Sequence, residues 1–421
     1  MGLVATVDGG AGRAGWDDGD HVWRASDDRY PVLVIFNHGI SREVTIPRTL
    51  VVTGHFPPMS GGVQTFTWEL VRRLAPGRLV VVAPEWPGAA EVDAGLGFPV
   101  VRRRGYLLFR DLPDIVRRHR LDTGWITALA PFGLYVPFLR RAGLRRVVAS
   151  SHGQELGWIH AWPTRIALRH MAWGVDTLTY LSATTRDAIG AVVRGRTPMR
   201  QLAGGVDTRR FRPDAAARQA VRRRYGLGDR PVVVSVSRLV RRKGQDILLR
   251  AWPQVLAAVP DAALLIVGDG PMRATLAERA ERDHPDSVVV TGPVSADELP
   301  GHYAAADLFV LPCRDDRQGL QSEGLGLSAL EAAAAGLPVI VGRSGGSASS
   351  VQPDRTGVVV DATEPAPLAA AVVSLLRNPE QARRMGGAGR RWVEECWSWD
   401  AAADRLVAIL AGRTVDTGDL S

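Results

Sequence analysis

The sequence predicts an α/β protein made of two doubly wound parallel-sheet domains facing a cleft. Three observations predict it. At 421 residues the chain exceeds what a single hydrophobic core usually holds. Short continuous Val/Leu/Ile runs alternate with helical stretches, the pattern of strands buried on both faces of a parallel sheet. The series breaks in a Pro- and Arg-rich stretch around residues 206–230 and then starts again.

In chain order, residues 1–46 read as a Gly- and Asp-rich appendage, partly disordered, whose one regular piece is strand-like, Pro31 to Ile40. The first domain, 47–205, opens with Thr49-Leu50-Val51-Val52-Thr53, a buried strand. A Pro-Pro-Met-Ser-Gly-Gly loop and a helix from Val63 to about Leu74 follow it. Apolar runs near 79–83, 124–129, 147–151 and 177–181 supply further strands. The second domain, 206–395, restarts at Pro231 to Val236 and continues with runs at 264–267, 288–290, 308–311, 339–341 and 358–360. A C-terminal helix in 396–412 is expected to pack back on the first domain. No apolar run reaches the ~20 residues that a bilayer-crossing helix needs. Val32 to Phe36 is too short, and preceded by acidic residues, to be an export signal. The chain therefore reads as cytoplasmic. Cys313 and Cys396 suggest ordinary buried residues, not a disulfide framework.

The net charge of +8 is unevenly placed. Residues 1–46 balance to −3, residues 47–205 to +11, and residues 206–421 to zero. The excess lies in clusters such as Arg102-Arg103-Arg104, Arg117-Arg118-His119-Arg120, Arg140-Arg141 and Arg145-Arg146. A basic half suggests an anionic partner, a nucleic acid or an acidic membrane face. The clusters lack interleaved aromatic residues, which argues against a nucleic acid. The plainer reading is a solvated surface in an arginine-rich proteome, since every basic residue except Lys243 is arginine. A compact ammonium differs from a planar guanidinium fork, so Lys243 reads either as a point charge for a phosphate oxygen or as an ordinary surface lysine.

Ligands of doubly wound sheets bind beyond the carboxyl ends of the strands, and four constellations fall there. Gly61-Gly62 opens a helix and lets backbone N–H groups approach an anion, although alone such a pair is more often just a turn. Arg238 and Lys243 follow the first strand of the second domain and could hold a diphosphate without a metal. Glu323-Gly324-Leu325-Gly326-Leu327 leads into the helix Ser328 to Ala335, with Glu331 inside it. Its N–H groups offer an anion site, and its two carboxylates suit the hydroxyls of a sugar and a ribose. Ser151-His152-Gly153-Gln154-Glu155 ends a strand of the first domain, and a single histidine there is more often structural than catalytic.

From Thr49 to about Leu410 the chain resembles the GT-B retaining glycosyltransferases of family 4. The motifs that carry the likeness are Phe56-Pro57-Pro58 with Gly61-Gly62, Ser151-His152-Gly153, Gly205-Val206-Asp207 with Phe211-Arg212-Pro213, Ser237-Arg238-Leu239 with Lys243-Gly244, Val267-Gly268, and the glutamates 323 and 331. Within that family it is similar to the actinobacterial phosphatidylinositol-mannoside mannosyltransferases. That likeness rests on His152-Gly153 with Glu155 and Gly157-Trp158, on Arg242-Lys243-Gly244-Gln245-Asp246, and on Trp397-Ser398-Trp399.

The resemblance implies transfer of a hexose, mannose from GDP-mannose, to a phosphatidylinositol-type glycolipid at an anionic membrane surface. The first domain would receive the acceptor and the second the nucleotide sugar. Arg238 and Lys243 would stabilise the leaving diphosphate, with Gly61 and Gly62 approaching it from the first domain. Glu331 would hold the ribose. Glu323 and the N–H groups of Gly324, Leu325, Gly326 and Leu327 would hold the sugar, faced by His152, and Gly292 and Val294 complete the donor side. No cofactor and no metal are implied, because two fixed cations stand in for a metal. The one Asp-x-Asp, Asp18-Gly19-Asp20, lies in the appendage. One departure stands out: Ser349 occupies the place of the family's usual glutamate, which puts donor preference in doubt. Other readings are a soluble natural-product acceptor, a nucleotide-sugar 2-epimerase, and a non-catalytic binding module; the basic first domain favours the lipid. Oligomeric state is not written in the sequence.

Overall fold

A computed structural model of the chain describes residues 46–59, 61–104, 111–152, 155–159, 161–315 and 323–413, together with four short strands before them. Those four form two antiparallel pairs, β1 (Gly15–Trp16) with β2 (Trp23–Arg24), and β3 (Leu33–Ile35) with β4 (Arg42–Val44).

Seven strands build the first large sheet: β5 (Thr49–Val52), β6 (Leu79–Pro84), β7 (Val100–Arg103), β8 (Thr123–Ile126), β9 (Arg146–Ser150), β10 (Thr177–Tyr180) and β11 (Met199–Gln201). Their spatial order is β11-β10-β9-β8-β5-β6-β7. β5 pairs in parallel with both β6 and β8, so the direction of winding reverses between β5 and β8. Six strands build the second: β12 (Val232–Val236), β13 (Ala263–Val267), β14 (Val288–Gly292), β15 (Leu308–Leu311), β16 (Val339–Gly342) and β17 (Gly357–Val360). They run β14-β13-β12-β15-β16-β17, every pair parallel, with the reversal between β12 and β15. Such reversals open a crevice at the carboxyl ends, where ligands of this architecture bind.

Parallel strands with helices on both faces must be apolar along their whole length. β5, β8, β12, β13, β15 and β16 are buried at every position. Successive residues of the second sheet feed opposite cores. Val232, Val234, Leu265 and Phe309 join one, and Val233, Leu264, Ile266 and Val310 the other. The sequence reading missed β7 and β11. Both close the edges of the first sheet, β7 is only half-buried throughout, and each carries arginine, so neither makes an apolar run.

The structure also corrects the reading of Arg102-Arg103-Arg104 as a free basic cluster. Each has an acidic partner: Asp93 at 2.7 Å, Asp111 at 2.9 Å and Glu85 at 2.6 Å. Arg102 grips both oxygens of Asp93, donates to the carbonyls of Pro57 and Pro84, and lies 5.4 Å from the Phe56 ring centre. Its guanidinium holds a loop against an edge strand.

Contacts within the chain define two compact units. One comprises Met1–Thr127, Leu134–Val148 and Arg405–Val415; the other comprises Ala128–Gly133, Ala149–Asp404 and Asp416–Ser421. Within the first, Arg146 Nε donates to the Ile409 carbonyl at 3.0 Å, tying the helix Trp399–Leu410 to β9.

Candidate active site

The chain leaves β12 through Ser237 and Arg238, turns at Arg241–Lys243 and enters the helix Gln245–Ala258. The joint is Gly244, in the left-handed region at φ 78°. A Cβ there would lie 1.9 Å from the Pro312 carbonyl oxygen, so no other residue fits this approach of the turn to the exit of β15. The turn brings Lys243 inward until it is only 9% exposed. Arg238 stays exposed, with no side-chain hydrogen bond or ion pair among the described residues.

Glu323 meets Lys243 at the carboxyl ends of β12 and β15. Lys243 Nζ donates to Glu323 Oε2 at 2.5 Å, and Arg242 Nη1 donates to the same oxygen at 2.8 Å. Cys313 Sγ donates to it at 3.6 Å. Burial alone would raise the Glu323 carboxyl, but Lys243 and Arg242 overcome it and hold the group below its ordinary value. Burial, then the Glu323 charge, pushes the Cys313 thiol up to about 12, so it stays protonated. A buried carboxylate bridged by two cations is a charged site already in place.

Beyond Glu323 the chain passes Gly324 and Leu325 to Gly326, left-handed at φ 81°, which begins the helix Leu327–Ala334. The helix starts one residue earlier than the sequence reading placed it. Leu325 is buried in the core, while Leu327 is 41% exposed at the helix tip. Glu331 is one turn further in. The buried hydroxyl of Tyr303 donates to its Oε2 at 2.7 Å. Burial raises the Glu331 carboxyl to about 7, although the Tyr303 hydrogen bond and the Arg210 charge both pull it down. Glu331 bonds neither Lys243 nor Arg242. The loop after β16 lies against this segment, with Gly346 N donating to the Glu323 carbonyl at 2.7 Å. Ser349 sits there in the tight turn Ser347–Ser350, 5% exposed.

The remaining expected positions are placed separately. Gly292 ends β14, and Val294 packs on the core nearby. Gly61 and Gly62 open the helix Gly62–Val71 in the first compact unit. His152 is partly exposed two residues past β9. Next to it Glu155 is buried, accepts from Ser151 Oγ at 2.9 Å, and is raised by burial. Gly153 and Gln154 lie outside the described residues. Sequence reasoning missed Arg242 and Tyr303. Arg242 stands in the motif Arg242-Lys243-Gly244-Gln245-Asp246 but was given no role there. Tyr303 stands 28 residues before Glu331, with no local signal joining them.

Comparison with known proteins shows the family. The pattern described as "Glycosyl transferases group 1" matches residues 217–392. The GDP-mannose-dependent alpha-(1-6)-phosphatidylinositol monomannoside mannosyltransferase of Mycolicibacterium smegmatis is 44% identical over 86% of this chain and 98% of its own length. The monoacylated-acceptor counterpart from Corynebacterium glutamicum is 38% identical over 86% and 97%. Among solved structures, Anabaena HepE in complex with UDP is similar at a TM-score of 0.72, with 17% identity over 86% of this chain and 99% of that one. WaaG, a glycosyltransferase involved in lipopolysaccharide biosynthesis, is similar at 0.57, with 16% identity over 86% and 100%. The two parallel sheets are therefore those of the GT-B fold, and the chain belongs to the group 1 glycosyltransferases.

Proposed function

We propose that the chain moves mannose from GDP-mannose to a phosphatidylinositol-type glycolipid, with retention of configuration and without a metal. The observation that carries this reading is the cluster of Lys243 and Arg242 on Glu323 at the switch point of the second sheet, beside the helix that holds Glu331. In this reading the departing diphosphate takes its charge stabilisation from Lys243 and Arg238. Preorganised donors of that kind act most strongly where charge develops in the transition state. Glu323 holds sugar hydroxyls, helped by the N–H groups from Gly324 to Leu327, and Glu331 holds the ribose. Gly61, Gly62, Gly292, Val294 and His152 keep the donor-side roles that the resemblance gives them. The names of the two relatives support the donor and the acceptor.

We also place the acceptor at an anionic membrane face. No helix among the described residues is long and apolar enough to cross a membrane. The helix Trp162–Gly174 exposes Trp162 (69%) and Ile166 (39%) beside Arg165, a mixture of aromatic, aliphatic and basic groups that suits a bilayer interface. The test is transfer of labelled sugar from GDP-mannose to a phosphatidylinositol mannoside in mixed micelles, with excess EDTA. The expected product is an α-linked mannoside formed at the same rate with and without chelator. Activity that returns only with Mg²⁺ or Mn²⁺ overturns the metal-free reading, and transfer only to water-soluble acceptors overturns the lipid one.

A further inference from the structure

The amino end of the first sheet carries a cavity of about 530 Å³, at the opposite end from Gly61. Four loops meet there. Arg48 precedes β5, Arg78 precedes β6, Gly97 and Pro99 precede β7, and before β8 come Arg118, the last residue of the helix Leu112–Arg118, and His119 and Arg120 from the turn after it. No acidic residue lines the cavity, and among the described residues none of these five basic side chains makes an ion pair. Several other arginines of the same unit are paired. Arg72 and Arg73 pair with Glu69, Arg102, Arg103 and Arg104 each have a carboxylate, and Arg117 pairs with Asp114. Arg78 Nη1 donates to the Ile46 carbonyl at 3.0 Å, while its Nε is enclosed and unpartnered. Arg118 complements the carboxyl end of the helix Leu112–Arg118. That accounts for neither Arg48 nor Arg78, which lie on other loops, nor Arg120, which lies beyond the helix.

We propose that this cavity binds a ligand carrying more than one phosphate group, at a site separate from the donor site. Its volume is that of an ordinary small-molecule pocket. Guanidinium forks match phosphate oxygens in pairs, and several unpaired forks around one space favour a multiply charged anion over a single carboxylate. The inference does not depend on the sugar or the acceptor proposed above.

The experiment is calorimetric titration of the full chain with inorganic tripolyphosphate, with GDP at saturation to fill the donor site. One further molecule should bind per chain, more weakly as salt rises. The Arg48→Gln, Arg118→Gln, Arg120→Gln triple variant should lose affinity on the order of tenfold or more. Its circular dichroism, GDP affinity and basal transfer rate should be unchanged. A parallel flotation assay uses phosphatidylcholine vesicles with and without phosphatidylinositol phosphate. Tripolyphosphate binding assigns the site to a free phosphorylated molecule. Vesicle binding alone, lost in the triple variant, assigns it to a lipid headgroup. If neither probe binds, or if the variant binds both as the wild type does, the proposal is overturned.

Discussion

Two enclosed ion pairs, one in each compact unit, look alike in the sequence and differ in what they leave free. The side chains of Arg102 and Asp93 are 12% and 19% exposed, and those of Lys243 and Glu323 are 11% and 10% exposed. Arg102 spends its fork on two carboxylate oxygens and two carbonyls and lies over Phe56, so little of it remains for a ligand. Lys243 has one partner for three donors, and that partner already shares its oxygen with Arg242. Burial does not separate a structural ion pair from a working one. The donors and acceptors left over do.

The largest effect should come from the working pair. In the proposed reading Lys243→Ala removes a preorganised donor to the leaving group, and it should lower kcat by ~10²–10³ while the protein stays folded. Lys243→Arg should recover little, since a planar fork cannot occupy the place of a compact ammonium. Single-turnover kinetics on soluble protein checks this, and an unchanged kcat removes Lys243 from the mechanism. The structural pair should show the reverse. Arg102→Ala should cost on the order of 2–4 kcal/mol of stability by stranding Asp93 and two carbonyls, with the donor KM unchanged. Denaturant melts beside donor titrations separate the two, and a donor KM that rises with stability intact would erase the contrast.

A smaller effect, in pH, belongs to Glu331. Its carboxyl stands at about 7 against an ordinary 4.5. The folded chain therefore keeps a proton that the unfolded chain gives up, and stability of the free protein falls as pH rises between those values. Donor affinity should move the other way, because ribose hydroxyls donate to the ionised form. KM should fall as pH rises through about 7. Tyr303→Phe removes a hydrogen bond that favours the ionised carboxylate, so the midpoint should shift upward with kcat at saturation little changed. A KM–pH profile identical in both proteins would leave Tyr303 a packing residue. The smallest effect is expected from truncation. Removing residues 1–45 should change stability by no more than about 0.5 kcal/mol. Ile46 has to stay, since it is 3% exposed and its carbonyl accepts from Arg78. Calorimetry decides, and a drop of several degrees would show that the segment braces the first unit.

The strands that were readable were those written as continuous apolar runs. β12, written Val-Val-Val-Ser-Val, announces itself, whereas β11, written Met-Arg-Gln, carries no apolar signal. Helix starts were legible to within a residue, because Gly61 and Gly326 mark them. In the site, the residue types and their positions at strand ends were readable, and the bonds between them were not. Lys243 reaches Glu323 across 80 residues, and Tyr303 reaches Glu331 across 28. Both contacts arise because strands and helices distant in sequence pack side by side. The Arg102-Arg103-Arg104 cluster misled for the same reason: the acids that neutralise Arg102 and Arg104 lie 9 and 19 residues away.

The double hold on Glu323 has a consequence for selectivity. The carboxylate is the shared counter-ion of Lys243 and Arg242, so part of their positive charge is already answered within the fold. A bare phosphate that captured Lys243 would leave Glu323 enclosed and short of a partner, which weakens the exchange. A sugar diphosphate escapes that penalty, because it brings hydroxyl donors for the carboxylate along with oxygens for the ammonium. If the proposed roles hold, a site arranged in this way binds the intact sugar nucleotide, which satisfies both halves of the pair at once, more tightly than inorganic phosphate or the spent nucleotide.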